Sequence, residues 1–277
     1  MINQVDPGPV RRLLTACDVE GYSRLGSDEQ RDLQNRLAEV QERAARNAGL
    51  VRGRALIQPA GDGELTRWPP ETDVLNLTID YLRELHTELV RVNRTLANDN
   101  QIRLRVALVD GMSEIASYGL AGEAPVVAAR LVNADQTRKA LILASCCPLV
   151  VILDDRLYQD VVRQRFRGLR PDDYVRVAVR NDAKNFERDA WIAAPGCDSS
   201  VLAELAEPAD RRAGPPKPAC PEAQSTDGTA QHQPGLATTA PTSGGTTIAY
   251  HAPVKHRGDV VTGTKNVYGL TRREEIR

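Results

Sequence analysis

Two aspartates stand where the chain reverses direction. Asp18 lies near the end of the apolar run RRLLTACDV, residues 11–19, and Asp62 sits between two glycines in Gly61-Asp62-Gly63. A carboxylate at a strand end or a turn tip can bind a cation. In a turn it can equally cap its own backbone, because Asp accepts from nearby N–H groups and tolerates the backbone angles of tight turns. Other reactive side chains offer less. His86, His232, His251 and His256 fall on a helical stretch or in the tail, so neither a catalytic histidine nor a metal cluster is suggested. Cys17, Cys146, Cys147, Cys197 and Cys220 form no C-x-x-C pair and have no histidine at zinc-finger spacing. They are expected to be reduced, mostly structural thiols of a cytosolic chain.

The 277 residues give room for one domain and a substantial extra segment. Lys and Arg number 36 against 37 Asp and Glu, and a net charge of -1 provides no global pull toward nucleic acid or an anionic membrane. The apolar fraction is 41% with only 4% aromatic, so the core must be built from Val, Leu, Ile and Ala. No apolar stretch approaches the roughly 20 residues that span a bilayer, and MINQVDPGPVRR has no signal-peptide core. The expectation is a cytoplasmic protein that binds neither nucleic acid nor membrane.

The elements that must position the two aspartates follow from periodicity. Residues 11–19 read as a first strand. Ser27 with Gln30 matches a capping box, and Leu33, Leu37, Val40 and Ala44 recur at helical spacing up to Gly49. ALIQP and ELTRW flank the Gly-Asp-Gly turn as a β-hairpin with Asp62 at its tip. From Glu71 to Leu96 the residues Val74, Leu75, Ile79, Leu82, Leu85, Leu89 and Val92 mark a long amphipathic helix. IRLRVALVD alternates as a strand, with a turn expected at Gly111 into a second arm, MSEIASYG. A helix follows from Glu123 to Leu143, with Pro125 near its start. LVVILD, a helix from Asp155 to about Gln164, and the paired strands YVRVAV and DAWIAAP complete the domain.

This order suits an α+β, ferredoxin-like split β-α-β core: an antiparallel sheet with helices on one face, over residues 9–195. Residues 196–250 read as a linker, since the stretch from about Glu207 to Thr247 is rich in Pro, Ala, Gly, Ser and Thr. Residues 251–277, with GDVVTGTKNVYGL, read as a short interaction segment able to recruit an effector by strand addition.

Three blocks, CDVEGYSRL at 17–25, QPAGDGELTRW at 58–68 and GEAPVVAARLVNA at 122–134, resemble in order the signature blocks of class III adenylate and guanylate cyclases. The likeness covers most of the first 195 residues and is similar to the divergent cyclase-homology domains of actinobacteria. It implies that Asp18 and Asp62 hold two divalent ions, Mg²⁺ or Mn²⁺, for phosphoryl transfer from a nucleoside triphosphate. It implies that Arg130 stabilises charge on the phosphate, and that Arg180 and Lys184 are candidates for a basic group on the triphosphate. It also implies a site shared between two cyclase domains, hence a homodimer or a heterodimer.

The departures are as informative. The base-reading lysine of the family is Gln58 here, the second base-reading position is Gly119, and the transition-state asparagine is Val126. A valine donates no hydrogen bond, a loss on the scale of roughly 2.7–4 kcal/mol by analogy with oxyanion-hole donors. Two readings stay open. One is a degenerate nucleotide-binding or dimerising module in signalling; the other is an active cyclase with altered base preference.

Overall fold

The structure, a computed structural model, describes residues 8–97, 100–181 and 185–206. The expectations for the linker beyond residue 206, for residues 251–277 and for Lys184 lie outside them. In chain order the elements are β1 (Val10–Val19), α1 (Ser27–Asn47), β2 (Leu56–Pro59), β3 (Gly63–Arg67), α2 (Leu82–Asn93), β4 (Leu104–Ala116), β5 (Gly119–Ala121), α3 (Glu123–Val132), α4 (Asp135–Leu143), β6 (Leu149–Asp154), β7 (Val175–Asn181) and β8 (Phe186–Ala193).

One sheet carries the domain in the order β2-β3-β1-β4-β6-β8-β7, with β5 folded back on β4. Its first four strands are the expected split β-α-β core: β2 with β3, β3 with β1, and β1 with β4 all pair antiparallel. The sheet is not antiparallel throughout, because β4 and β6 run parallel.

Side chains alternate across this sheet, and both faces are buried. Cys17, Val19, Leu104, Val106 and Leu108 pack against Leu37 and Val40 of α1 and Leu85 and Leu89 of α2. Leu14, Ala16, Ala107 and Val109 pack against Val127, Ala128 and Leu131 of α3 and Leu141 of α4. The two helices of the split core therefore share one face, while α3 and α4 cover the other. The expectation of helices on one face holds for the core alone.

Several boundaries differ for identifiable reasons. The N-cap of α1 is Gly26, whose N–H donates to Glu29 at 2.8 Å, so the box sits one residue earlier than Ser27 and Gln30. The helical path after Pro70 begins past Asp73, whose carboxylate accepts from the N–H groups of Leu75 and Asn76. No turn occurs at Gly111. The strand runs on to Ala116 and reverses at Ser117-Tyr118, while Gly111 allows α3 to cross closely, since a Cβ there would sit 2.9 Å from that of Ala124. The stretch from Glu123 to Leu143 is two helices. Extended Ala134 breaks it, and the Thr137 hydroxyl donates to the Leu131 carbonyl at 2.8 Å. Finally, the fold continues past Pro195, because a 3₁₀ helix at Ser199–Leu205 buries Leu202 and Leu205 against α4 and β7.

The thiols also divide. Cys17 is a buried structural thiol, as expected; burial, helped by the Glu64 carboxylate, pushes it up to about 12. Cys147 and Cys197, expected to be reduced, form a disulfide. No spacing motif announces it, because 50 residues separate them and only the return of β8 beside β6 brings them together.

Candidate functional site

β1 and β3 pair with Asp18 opposite Gly63, and the Val19 N–H donates to the Asp62 carbonyl at 3.1 Å. The register thus makes Asp18 and Asp62 backbone neighbours at one end of the sheet. The hairpin tip is held from α1, where Gln34 Nε2 donates to the Gly61 carbonyl at 3.2 Å and to the Tyr22 hydroxyl at 2.6 Å. Asp62 borders a small cavity of about 210 Å³ with Tyr22, Leu33, Gln34 and Leu37.

Asp18 is not an open carboxylate. It lies directly opposite Arg105 of β4, and the two form an ion pair in which both side chains are almost fully buried. Burial, with Arg138 near by, holds the Arg105 guanidinium below its ordinary value. Among the described residues, no cluster of three or more Asp, Glu, His or Cys at metal-ligand spacing includes Asp18 or Asp62. As arranged, the two carboxylates do not present a ready divalent-ion site, because a resident cation already occupies one of them.

Gln58 and Gly119 are brought together. Gln58 on β2 reaches the β4–β5 hairpin, where its Oε1 accepts from the Leu120 N–H at 3.0 Å. Gly119 has φ +115°, and a Cβ there would lie 2.3 Å from Gln58 Oε1. The bare glycine is what admits the glutamine. Gly119→Ala should therefore expel Gln58, break its bond to Leu120 and strain the hairpin, at a cost of about 2 kcal/mol in a urea titration. An unchanged midpoint would mean that the contact is dispensable.

Val126 and Arg130 stand one turn apart on the outer side of α3, with Val127, Ala128 and Leu131 turned inward. Val126 is 45% exposed. The Arg130 guanidinium lies 4.7 Å from the centre of the Phe186 ring, a cation-π contact within the chain. Both residues follow the far end of β4, whereas Asp18 is held at its start. Arg180 pairs with Glu187 at 2.8 Å.

Sequence reasoning missed Arg105, Phe186 and the Leu120 N–H, the three groups that engage Asp18, Arg130 and Gln58. For Arg105 a signal existed: an arginine alternating with Leu104 and Val106 in a central strand must face a buried layer and needs a counter-charge there.

A large cavity of about 890 Å³ lies between β4, α3 and β7–β8. Its arginines are each matched by a carboxylate, among them Arg11 and Arg156 on Asp110, Arg176 on Asp189 and Arg188 on Glu123. It has no surplus charge to select an anion. Asp154, at the end of β6, lines this cavity, and burial pushes its carboxyl up to about 6 against hydrogen bonds from the Leu157 and Asp110 N–H groups. With the folded value above 3.8, the contribution of this group is fully present below about pH 4 and is lost as pH rises through 6. Relative to the native chain, Asp154→Asn should gain about 2 kcal/mol between pH 4 and pH 7 in paired denaturation curves. A pH-independent difference would refute the assignment.

No family model matches the chain, and no curated protein matches it. Solved structures do. An adenylate/guanylate cyclase/hydrolase from Silicibacter pomeroyi superimposes with TM-score 0.50 at 18% identity, over 68% of this chain and 99% of that one. A bacterial light-regulated adenylyl cyclase gives TM-score 0.49 at 15% identity, over 73% of this chain and 58% of that one. The guanylate cyclase domain of RhGC from Catenaria anguillulae, in complex with GTP, gives 0.43 at 15% identity, over 66% and 96%. The likeness to the first is one of fold: a mixed α+β domain of the adenylate/guanylate cyclase type. No helix among the described residues is long and apolar enough to cross a membrane.

Proposed function

We propose that this chain is a class III cyclase-like domain of the divergent actinobacterial type, acting as a nucleotide-binding or dimerising regulatory module in signalling. The observation that carries this reading is the outer face of α3. At Val126, one turn before Arg130, it presents an exposed apolar side chain where phosphoryl transfer would call for a hydrogen-bond donor. The same part of the fold exposes Met112, Ile115 and Tyr118, the last of them 100% exposed, on β4 and its hairpin. An exposed apolar set of this kind favours a protein surface over a polar substrate. A second copy of the chain is the partner proposed, since Asp18 is held at the start of β4 while Val126 follows its far end, and a shared site needs both.

The alternative, an active nucleotidyl cyclase with altered base preference, is favoured by the backbone adjacency of Asp18 and Asp62. In that reading these two residues would hold Mg²⁺ or Mn²⁺, which requires Arg105 to release Asp18, and Gln58 would read the base only by leaving Leu120.

The test is incubation of the purified chain with Mn²⁺ or Mg²⁺ and each of ATP, GTP, CTP and UTP, beside sedimentation equilibrium of the native chain and Tyr118→Glu. A dimer dissociated by the substitution, with no 3′,5′-cyclic product, supports the regulatory module. A cyclic product that disappears in Asp62→Ala establishes the cyclase instead.

A further inference from the structure

Outside the site described above, one cluster of reactive side chains has no structural task that explains its composition. Cys146, Cys147 and Cys197 place their three sulfurs within 4.8 Å of one another. Cys147 and Cys197 are bonded, and Cys146 Sγ lies 3.2 Å from Cys197 Sγ and 4.0 Å from Cys147 Sγ. A structural crosslink needs two cysteines. A third thiol in contact with the bond is a nucleophile beside it; the two distances place it broadside to the bond, so in-line attack on Cys197 Sγ follows rotation of the exposed Cys146 side chain.

The backbone on both sides is fixed, so the contact is built in. The Cys147 N–H donates to the Ala144 carbonyl at 2.9 Å, closing the end of α4, and the Pro148 carbonyl accepts from the Leu104 N–H at 2.8 Å. On the other side the Cys197 N–H donates to the Ala194 carbonyl at 3.0 Å. Gly196, at φ +88°, packs so closely on His86 that a Cβ would lie 3.0 Å from its ring. The exposures are graded: Cys147 is buried, Cys197 intermediate and Cys146 exposed. Arg94 and Arg103 line the same recess as Cys146 and Cys147.

We propose that Cys146, Cys147 and Cys197 form a thiol–disulfide exchange site for low-molecular-weight thiols, in which Cys146 gives access to a bond that is otherwise half shielded. The Cys146 thiol loses its proton to water, and its sulfur attacks Cys197 Sγ. The Cys146–Cys197 bond forms as the Cys147–Cys197 bond breaks, and Cys147 leaves as a thiolate and takes up a proton. This step is redox-neutral. The new disulfide joins the two more exposed sulfurs, where an external thiol attacks it to give a mixed disulfide on one of them. A second external thiol then releases the free cysteine and the small disulfide, so two external thiols are oxidised for each protein bond reduced. The consequence is local: Cys197 leads into the 3₁₀ helix Ser199–Leu205, which Leu202, Leu205 and the 3.4 Å Lys139–Glu204 pair hold against the body of the domain.

The experiment follows reduction of the oxidised full-length chain by glutathione, with alkylation and peptide mass mapping at each time point. Native protein should be reduced at least tenfold faster than Cys146→Ser, whose exposed position makes misfolding a minor concern. Cys147→Ser, oxidised with glutathione disulfide, should trap the Cys146–Cys197 bond. Equal reduction rates in native and Cys146→Ser protein would overturn the proposal. So would three freely alkylated thiols after exposure to glutathione disulfide, or one tightly held zinc ion per chain that blocks alkylation of all three.

Discussion

Asp18→Ala should lower the unfolding free energy by about 3–5 kcal/mol, because it strands the Arg105 guanidinium in a nearly closed layer of the sheet. The size of the effect follows from asymmetry. Replacing both partners of a buried pair with apolar groups is often close to neutral, whereas removing one leaves an uncompensated charge. Arg105 has little recourse: its Nε finds no hydrogen-bond acceptor among the described residues, and the neighbouring Arg138 adds repulsion. Urea denaturation of native chain, Asp18→Ala and Asp18→Ala/Arg105→Leu checks this. The single variant should be the least stable and the double variant should recover more than half of the loss. A native midpoint in Asp18→Ala would show that the pair contributes nothing to folding. The expected result also bears on function. Loss of any nucleotide-dependent signal in an Asp18 variant would report unfolding as readily as loss of an ion, so Asp62, on its turn, is the better position at which to test metal binding.

The core of the fold was legible because two different periods are written into the chain. Leu33, Leu37, Val40 and Ala44 recur at helical spacing, and Leu104, Val106 and Leu108 alternate. These are the residues that α1 and β4 turn toward the shared core, Leu33 at its edge. What periodicity could not supply was the second apolar layer. Ala107 and Val109 look like weak intermissions in an amphipathic strand, yet they face α3 and α4 across a fully covered surface. The misplaced turn at Gly111 has the same origin. Glycine in a strand signals either a reversal or a close approach, and only the path of α3 over that point shows that the second applies.

Of the candidate site, the sequence named positions but could not show their engagements. Asp18 beside Asp62 and Gln58 beside Gly119 come from blocks 40 or more residues apart, and the sheet brings both pairs together. That Arg105 holds Asp18, that Leu120 holds Gln58 and that Phe186 lies under Arg130 depends on cross-strand register and helix placement, which local composition does not encode. The cysteines make the same point in a harsher form. Adjacent Cys146 and Cys147 match no ligand spacing, and their partner arrives only when β8 returns beside β6.

Gly63→Ala is the second substitution with a large expected effect, and its cause is backbone against backbone. A Cβ at this position would stand 1.8 Å from the Cys17 carbonyl oxygen and 2.7 Å from its carbon. No side-chain rotation relieves such a contact, so β3 must move away from β1 at the pair Asp18–Gly63. The expected cost is about 3 kcal/mol, the upper part of the range for overpacking, because the displaced groups are ladder amides and not flexible side chains. The displacement would also weaken the Val19 to Asp62 hydrogen bond, and with it the register that sets Asp62 beside Asp18. Amide hydrogen exchange distinguishes the two consequences. If the strain is local, protection should fall at Val19 and along β3 while β6 and β8 keep theirs; uniform loss across the sheet would mean that the β1–β3 seam sustains the whole domain. Native protection at Val19 would show that the close approach at Gly63 does not govern the geometry of the two aspartates.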